Sequence, residues 1–536
     1  MKDFFQRAAQ RAQREILLER TSRKLRVMSE EIARMRVSSE KDHPVILFNA
    51  STRLENLSQN AGFSLVTGLA LQVAGIPIVQ FVCEQGLKPC VLGTWREDVH
   101  KNPPCAKCLK TSHKLFSHCE TKFFKHQPNT ELDEAISGLN LDELLHFEFH
   151  GNKLGEKVLP SLRWILRRHH LEDDENNRWL TGQYIVSAWN VFTQFKALIK
   201  EEKPRAVVLF NGMFYPEAMA REAAREENIP VFTHEVGMLP LSAFFTDGEA
   251  TAYPVTIDNS FKLDSKMEKM LDDYLAERRR GDFVTAGVQF WPEMLGLNED
   301  LQSKINSHAQ MVPIFTNVVF DTSQSHANVV FEHMFTWLDT VLEQIDLHPE
   351  TLFILRAHPD ELRSGKESRQ TVAEWVKARR TDERENVIFI PSDTYISSYE
   401  LVDRAKFVMV YNSTIGLEAA ASGKAVLCGG KARYTQVPTV FFPQSRDAFI
   451  QKMDDLVRKK TIQVPDEFQI NAKRVLYSQL FRASLPFGDF LENDGIWRGY
   501  VQLKDFSVND LSIENSKTMR VLLDGILNLN PFLLEE

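Results

Sequence analysis

Short apolar segments alternate with helical segments in two successive runs, and this alternation restricts the chain to α/β folds. The first run has apolar segments at 45–49, 77–83, 206–211 and 230–235, and the second has them at 312–320, 352–358, 387–391, 407–411, 425–429 and 439–442. Short apolar strands separated by helices are typical of a parallel sheet with helices on both faces. The sequence therefore predicts two Rossmann-like domains that face a cleft.

The length of 536 residues supports two large domains, because one compact core rarely grows to this size. A charged helix at about 264–280 ends in Glu-Arg-Arg-Arg-Gly-Asp and marks a boundary between the two runs. We divide the chain into a helical arm, an N-terminal domain with a cysteine-rich insert at 83–119, a C-terminal domain, and C-terminal helices that pack back on the body. Their respective bounds are 1–40, 41–285, 286–465 and 466–536.

The composition predicts a folded protein that stays in the cytoplasm. Hydrophobic residues make up 43% of the chain and charged residues 26%, which argues against disorder. The net charge of -9 gives no support for a general nucleic-acid binder. The N-terminus lacks the apolar core of a signal peptide. The most apolar window, 63–83, divides into a helix and a strand, so the sequence predicts no membrane span.

The N-terminal arm is predicted to be one long helix over residues 2–37. Leu25, Met28, Ile32 and Met35 repeat at three-four spacing and form one apolar stripe. Residues 1–40 contain ten Lys or Arg and six Asp or Glu, so the arm is basic in an acidic protein. Two interpretations stay open. The helix packs on the body or on a second copy, or it contacts an anionic membrane surface at the inner membrane face.

Polar residues follow several predicted strands, at the edge where ligands bind in open α/β sheets. The tetrapeptide 356–359, Arg-Ala-His-Pro, follows one strand, and Asn412, Ser413 and Thr414 open a helix after another. The N-terminus of a helix carries free N–H groups and partial positive charge, which suits an anion. Two interpretations apply to Ser413 and Thr414: a helix cap alone, or phosphate ligands.

One carboxylate, Glu235, stands at the end of a strand in the first run, between His234 and a short segment containing Gly237. A carboxylate in this position is placed to act as a general base on a hydroxyl group. The alternative is a structural glutamate held in an ion pair.

Five of the six cysteines fall between residues 83 and 119. Cys105 and Cys108 form a Cys-x-x-Cys pair, and Cys90 and Cys119 flank it. Two thiolates on one turn with two further ligands complete a tetrahedral zinc site. The sequence predicts a structural zinc on these four residues, an iron–sulfur cluster, or free buried or redox thiols.

Two motifs of this chain resemble the C-terminal domain of bacterial GT-B glycosyltransferases. The first is Arg-x-His-Pro, and the second, some fifty residues later, is Asn-Ser-Thr-x-Gly-x-Glu-Ala-Ala-x-x-Gly-Lys. The pattern is most similar to capsule polysaccharide biosynthesis proteins, which include Kdo transferases, and bacterial sialyltransferases share a similar pair of motifs. The resemblance covers about 310–445, and it is weaker over 40–250.

The resemblance implies a glycosyltransferase with an acceptor-binding N-terminal domain and a nucleotide-sugar-binding C-terminal domain. Its partners would be a nucleotide-sugar donor and a glycan or lipid-linked acceptor, with no nucleic acid. The nucleotide would be bound by Arg356, His358, Pro359, Ser413, Thr414 and Glu418. His358 and Glu235 would be catalytic, with Glu235 as the acid or base. No Asp-x-Asp pair follows a strand, so no cofactor is required for catalysis.

Other functions on the same fold stay open. Polyol-phosphate transferases of the teichoic-acid type have a similar Arg-x-His-Pro but usually an Asp-Tyr-Ser-Ser turn, whereas this chain has Tyr-Asn-Ser-Thr at 411–414. A nucleotide-sugar epimerase and a non-catalytic protein that binds a glycan or a partner through its cleft are the remaining alternatives.

Overall fold

A computed structural model describes residues 2–35, 43–50, 57–258, 260–280 and 295–535. The boundaries predicted at 40 and 285, and the end of the predicted first helix at 37, lie outside these ranges.

Fourteen strands form three sheets in the described part of the chain. The strands are β1 (Val45–Phe48), β2 (Ile78–Cys83), β3 (Glu120–Phe124), β4 (Ala206–Phe210), β5 (Val231–Val236), β6 (Ser242–Thr246), β7 (Gln310–Phe315), β8 (Thr351–Arg356), β9 (Val387–Ile390), β10 (Val408–Val410), β11 (Val426–Cys428), β12 (Leu485–Pro486), β13 (Leu491–Asn493) and β14 (Val501–Leu503).

The α-helices of the described ranges alternate with these strands. They are α1 (Lys2–Met35), α2 (Gln59–Val73), α3 (Cys105–Phe116), α4 (Thr130–Ile136), α5 (Leu141–Leu145), α6 (Leu154–Leu166), α7 (Glu175–Glu202), α8 (Tyr215–Glu226), α9 (Ser265–Arg280), α10 (Glu299–Asn306), α11 (Gln324–Ala327), α12 (Met334–Ile345), α13 (Val372–Arg379), α14 (Ser398–Arg404), α15 (Ile415–Ala421), α16 (Arg446–Arg458), α17 (Asp466–Tyr477) and α18 (Lys517–Asn528).

The parallel strands of the two large sheets are arranged in the same order. The first runs β12-β6-β5-β4-β1-β2-β3, and its strands from β3 to β5 are parallel. The second runs β11-β10-β7-β8-β9 and is parallel throughout. Numbered within its own domain, each parallel set has the order 3-2-1-4-5 of a Rossmann-like domain. The predicted fold class, two such domains with an N-terminal helix, is confirmed.

Most predicted strands lie within two residues of the observed ones, and two do not. We predicted a strand over 312–320, but β7 ends at Phe315, and Val319 and Phe320 are buried in the loop that follows. The segment 439–442 makes only an isolated bridge, between Phe441 and Leu427. Both segments bury apolar side chains in a loop. Their sequences therefore resemble buried strands, although neither forms a strand there.

The N-terminal helix packs along the body of the protein. Leu25, Met28 and Ile32 are buried in a core shared with α2 and the C-terminal segment, whereas Met35 is exposed. Lys24 donates to the Lys504 carbonyl at 2.6 Å. The predicted stripe is therefore a packing face over three of its four members.

The C-terminal segment returns to the first domain, where β12 pairs antiparallel with β6 and α18 packs against α2. No helix in the described ranges is both long enough and apolar enough to cross a membrane.

Two buried helical glycines provide a test of the packing in the first domain. A Cβ on Gly155, in α6, would lie 2.3 Å from the Leu144 carbonyl oxygen, whereas a Cβ on Gly182, in α7, would meet only the Ile136 side chain at 3.4 Å. We expect Gly155→Ala to lower the free energy of unfolding by about 3 kcal/mol, because a backbone must move. Gly182→Ala should raise it by roughly 0.5–1 kcal/mol, since alanine favours a helix over glycine. Denaturant unfolding of both variants measures the difference, and equal effects would contradict this packing.

Candidate active site

A cavity of about 480 Å³ lies between the two domains, a size that suits a small-molecule ligand. The first domain contributes residues 236–238 and 251–253, and the second contributes the segments that follow β7, β8 and β10. These segments lie at the carboxyl ends of their strands, where α/β domains bind ligands. Both domains therefore form the walls of one site.

The centre of the second domain's contribution is the point where its strand order reverses, between β7 and β10. Asn317 follows β7 and donates from its side-chain amide to the Asn412 side-chain oxygen, which follows β10. The Gln324 amide donates to the same oxygen at 3.2 Å. These bonds fix the turn that carries Ser413 and Thr414.

Ser413 and Thr414 line the cavity, and neither side chain caps the helix that follows. Thr414 is the N-cap residue of α15 by position but makes no side-chain cap bond. In the described ranges neither hydroxyl has a hydrogen-bond partner, and the Ser413 carbonyl accepts from the Tyr434 hydroxyl at 2.8 Å. The interpretation of these residues as a helix cap alone is wrong, and both hydroxyls are free to bind a ligand.

His358 lines the cavity with one ring nitrogen already bonded to the protein. Its Nδ1 accepts from the Asp360 backbone N–H at 3.1 Å, within the short 3₁₀ turn that begins at Pro359. Burial lowers the pKa of His358, although Asp360 opposes this. A neutral imidazole whose Nδ1 accepts carries its proton on Nε2. His358 is therefore arranged as a hydrogen-bond donor.

Arg356 borders the cavity, but its guanidinium is bonded to backbone. Nη1 donates to the Pro391 carbonyl and Nη2 donates to the Thr394 carbonyl at 2.7 Å. The side chain is buried, and burial lowers its pKa to about 10. Arg356 therefore holds the loop after β9 beside the cavity, and its binding of a nucleotide stays a prediction.

Glu418 also lines the cavity, in a buried network with two residues that the sequence reasoning missed. The Arg278 guanidinium lies 2.7 Å from one carboxylate oxygen, and the Tyr399 hydroxyl donates to the other at 2.6 Å. This carboxylate ties α9 and α14 to α15 beneath the site, and the binding of a nucleotide by Glu418 stays a prediction.

Two cations in the cavity wall, Lys431 and Arg433, were not predicted either. The Arg433 guanidinium stacks over the Tyr253 ring at 4.1 Å, which joins the two domains. The Lys431 ammonium has no hydrogen bond or ion pair within the described ranges. Lys431 follows the end of β11 by three residues and Arg433 by five, and this position after a strand could have indicated both. Together they make this wall of the cavity positive.

Glu235 sits directly before the cavity residues Val236 and Gly237 on β5. Its Oε1 accepts from the Asn60 side chain at 3.0 Å and from the Val236 N–H at 2.8 Å. Burial raises the pKa of Glu235 to about 7, and the Asp321 carboxylate contributes to the rise. No ion pair holds Glu235 in the described structure, so the alternative of an ion-paired structural glutamate is wrong. A carboxyl group of this kind accepts or releases a proton near neutral pH.

The predicted zinc site is not formed. No group of three or more His, Cys, Asp or Glu in the described residues could hold a metal ion. The segment is the crossover from β2 to β3 and not an insert, and it leaves Cys90 and Cys119 packed in different cores on opposite faces of the sheet. Cys105 and Cys108 lie on α3. Burial raises the pKa of Cys119 to about 12.

The fold and the cavity define a two-domain α/β protein of the GT-B type, and a family comparison agrees. Residues 287–444 match the model for capsule polysaccharide biosynthesis proteins. This match confirms the resemblance predicted for about 310–445, and it contains the His358 and Ser413 segments. No curated protein matches the chain.

Solved structures with a similar arrangement include two transferases and one epimerase. The beta Kdo 2,4 transferase KpsC of Thermosulfurimonas dismutans is 13% identical, covers 53% of this chain and 81% of its own, and has a TM-score of 0.36. The beta Kdo 2,7 transferase from the same organism is 12% identical, covers 59% and 86%, and has a TM-score of 0.33. UDP-GlcNAc 2-epimerase from Neisseria meningitidis is 14% identical, covers 81% and 98%, and has a TM-score of 0.26.

Proposed function

We propose that the protein is a glycosyltransferase that moves a sugar from a nucleotide-activated donor to a cell-surface polysaccharide or glycan acceptor. One observation carries the proposal. The interdomain cavity places free hydroxyls at a helix N-terminus, a histidine with its proton on Nε2, and two cations on one wall, and a carboxyl group with a pKa of about 7 stands beside the opposite wall. The family match over 287–444 supports the same reading.

The donor phosphate would bind at the start of α15. The Ser413 and Thr414 hydroxyls would donate to its oxygens, and Lys431 and Arg433 would balance its charge. His358 would add a hydrogen bond from Nε2 to the same leaving group. Donors preset around an oxygen that gains charge stabilise the transition state more than the ground state.

Every bond and proton of the transfer reaction is accounted for by these groups. The bond between the anomeric carbon of the sugar and the phosphate oxygen breaks, and the nucleotide leaves with the electron pair. An acceptor hydroxyl oxygen forms the new bond to the anomeric carbon, and its proton passes to the Glu235 carboxylate. The pKa of Glu235 near 7 leaves a large fraction ionised at neutral pH, as a general base requires.

A thermal-shift panel of CMP, UDP, GDP and CDP compounds tests the donor site. A ligand that binds only the folded state raises the melting temperature by mass action. We expect one nucleotide class to do so, and we expect Ser413→Ala with Thr414→Ala to weaken its binding about 10-fold, at roughly 1 kcal/mol for each lost hydrogen bond less relaxation.

Ser422→Ala is the matched control, because Ser422 ends the same helix and its hydroxyl donates to the Glu418 carbonyl at 3.0 Å. This variant should bind the nucleotide like the wild type. The absence of a shift with every nucleotide would refute the donor site and favour a non-catalytic binding protein. Nucleotide release that depends on an acceptor separates transfer from epimerisation, which needs none.

A further inference from the structure

A cluster of cations lies where the two domains meet, beside the donor cavity. It joins α6 and the segment before α3 to the loop between β8 and α13. The Arg369 N–H donates to the Arg167 carbonyl at 2.9 Å, and Arg96 donates from Nη2 to the Gly365 carbonyl at 3.1 Å. These bonds bring Arg167 and Arg96 of the first domain close to Lys366 of the second.

Arg167 is the buried member of this cluster. Only 3% of the residue is exposed, yet its Nε and Nη1 have no hydrogen-bond partner in the described ranges. Its guanidinium lies 4.2 Å from the Trp164 ring centroid and 4.8 Å from that of Phe320. Stacking covers the faces of the guanidinium but leaves its N–H groups, which point outward in the plane, without acceptors. A buried N–H group without an acceptor is costly, so the site is complete only with an acceptor atom.

Lys366 is the exposed member, and its ammonium has no hydrogen bond or ion pair within the described ranges. Desolvation of the ammonium lowers the pKa of Lys366. The positive charges of Arg363 and Arg167 lower it further, although the carboxylates of Asp360 and Asp321 oppose them. Asp360 is already paired with Arg363 at 3.6 Å. Asp321 and Glu367 favour the charged form of Arg167, but neither forms an ion pair with Arg167 or Lys366 within the described ranges.

Asp321 connects this cluster to the donor cavity. It follows Phe320, which stacks on Arg167, and it lines the cavity itself. Its carboxylate also acts on Glu235, the proposed base. The Lys366 ammonium also acts on the Glu235 carboxyl group, so an acceptor whose hydroxyl lies at Glu235 would have its neighbouring groups within reach of this cluster.

We propose that Arg167 and Lys366 form a binding subsite for an anionic group, a carboxylate or a phosphate, on the acceptor. The inference rests on the proposed function and adds the chemical class of the acceptor. Planar guanidinium N–H groups pair with two oxygens of such an anion, and the ammonium adds a point charge. The aromatic walls of Trp164 and Phe320 keep the guanidinium in place for it.

Titration calorimetry with two probes, glucuronate and inorganic phosphate, tests the subsite in the full chain. The nucleotide selected by the thermal-shift panel is kept saturating, so that the donor phosphate site is filled. We expect at least one probe to bind and Lys366→Met and Arg167→Met to weaken it by about 10- to 100-fold, the usual effect of losing a hydrogen bond to a charged group. Lys377→Met, an exposed lysine on α13, is the matched control and should bind like the wild type.

Each outcome of the titration supports or refutes the anion subsite. Stronger binding of glucuronate indicates a sugar acid, and stronger binding of phosphate indicates a phosphorylated acceptor. If neither probe binds the wild type, or if both variants bind as the wild type does, the subsite is refuted. Lys366 is exposed, so its variant answers the question even where Arg167→Met does not fold. Should no nucleotide bind, the donor proposal fails, and the same titration without nucleotide still measures the anion site.

Discussion

Replacing Glu235 with glutamine is expected to reduce turnover about 100- to 10,000-fold, the range that general base catalysis contributes. Both protein hydrogen bonds of the carboxylate end on Oε1, from Asn60 and from the Val236 N–H. A glutamine oxygen accepts the same two bonds, so the local structure is kept and only the proton acceptor is lost. Steady-state kinetics with the donor identified by the nucleotide panel gives the comparison. The Michaelis constant for the donor should stay close to that of the wild type.

The same substitution is expected to stabilise the protein above neutral pH. The pKa of Glu235 is raised from 4.5 to about 7 in the folded state, so the favourable protonated form is lost as the pH rises through 7. A shift of this size lowers the free energy of unfolding of the wild type, relative to that of Glu235→Gln, by about 3 kcal/mol at pH 8 and by less than about 1 kcal/mol at pH 5. Unfolding experiments at both pH values should show the advantage of Glu235→Gln over the wild type growing with pH.

Glu361 supplies the matched control. It is also buried, and burial raises its pKa to about 7, but each of its oxygens is occupied: Oε2 accepts from the Ser392 hydroxyl at 2.9 Å and Oε1 from the Val372 N–H at 3.1 Å. Glu361→Gln should show a similar gain in stability above neutral pH and retain turnover within a few fold. Equal losses of turnover in the two variants would show that Glu235 has no special role in the chemistry.

The sequence was informative wherever a local pattern determines the structure. Short apolar strands and the helices between them gave both domains, since period and burial are local properties. The motif around His358 and the one around Ser413 both fall on the cavity, because in a parallel sheet every strand ends at the same edge. These motifs could not predict which residue each side chain would contact.

Three features that the sequence did not indicate have one physical origin, which is contact between residues far apart in the chain. Glu418 is held by Arg278, which lies on a charged helix 140 positions earlier in the sequence. Arg356 binds carbonyls of a loop that follows another strand. The cysteines have metal-like spacing, but the sheet separates Cys90 from Cys119. Spacing along the chain describes only the short turns, and the packing of distant elements decides which groups stay available to a ligand.

Replacing His358 with alanine is expected to reduce turnover about 100- to 1,000-fold, as the loss of one preset donor to a developing charge does in other enzymes. The Nδ1 of His358 is occupied by the Asp360 N–H, so the Nε2 proton is the group that a ligand would meet. His358→Gln places an amide N–H close to that position and should recover part of the activity. His326 lines the same cavity, but its Nε2 is bonded to the Thr251 hydroxyl at 2.9 Å. His326→Ala should therefore lower turnover by less than about 10-fold.

The pH dependence separates the two proposed roles. The pKa of His358 is lowered by burial, so the imidazole stays neutral at and above its ordinary titration range and adds no inflection near pH 7. The pKa of Glu235 is about 7, and a base must be ionised, so turnover should rise through pH 7. This inflection should persist in His358→Gln at lower absolute rates and disappear in Glu235→Gln. An inflection that follows His358 instead would reverse the assignment, making the histidine the proton acceptor.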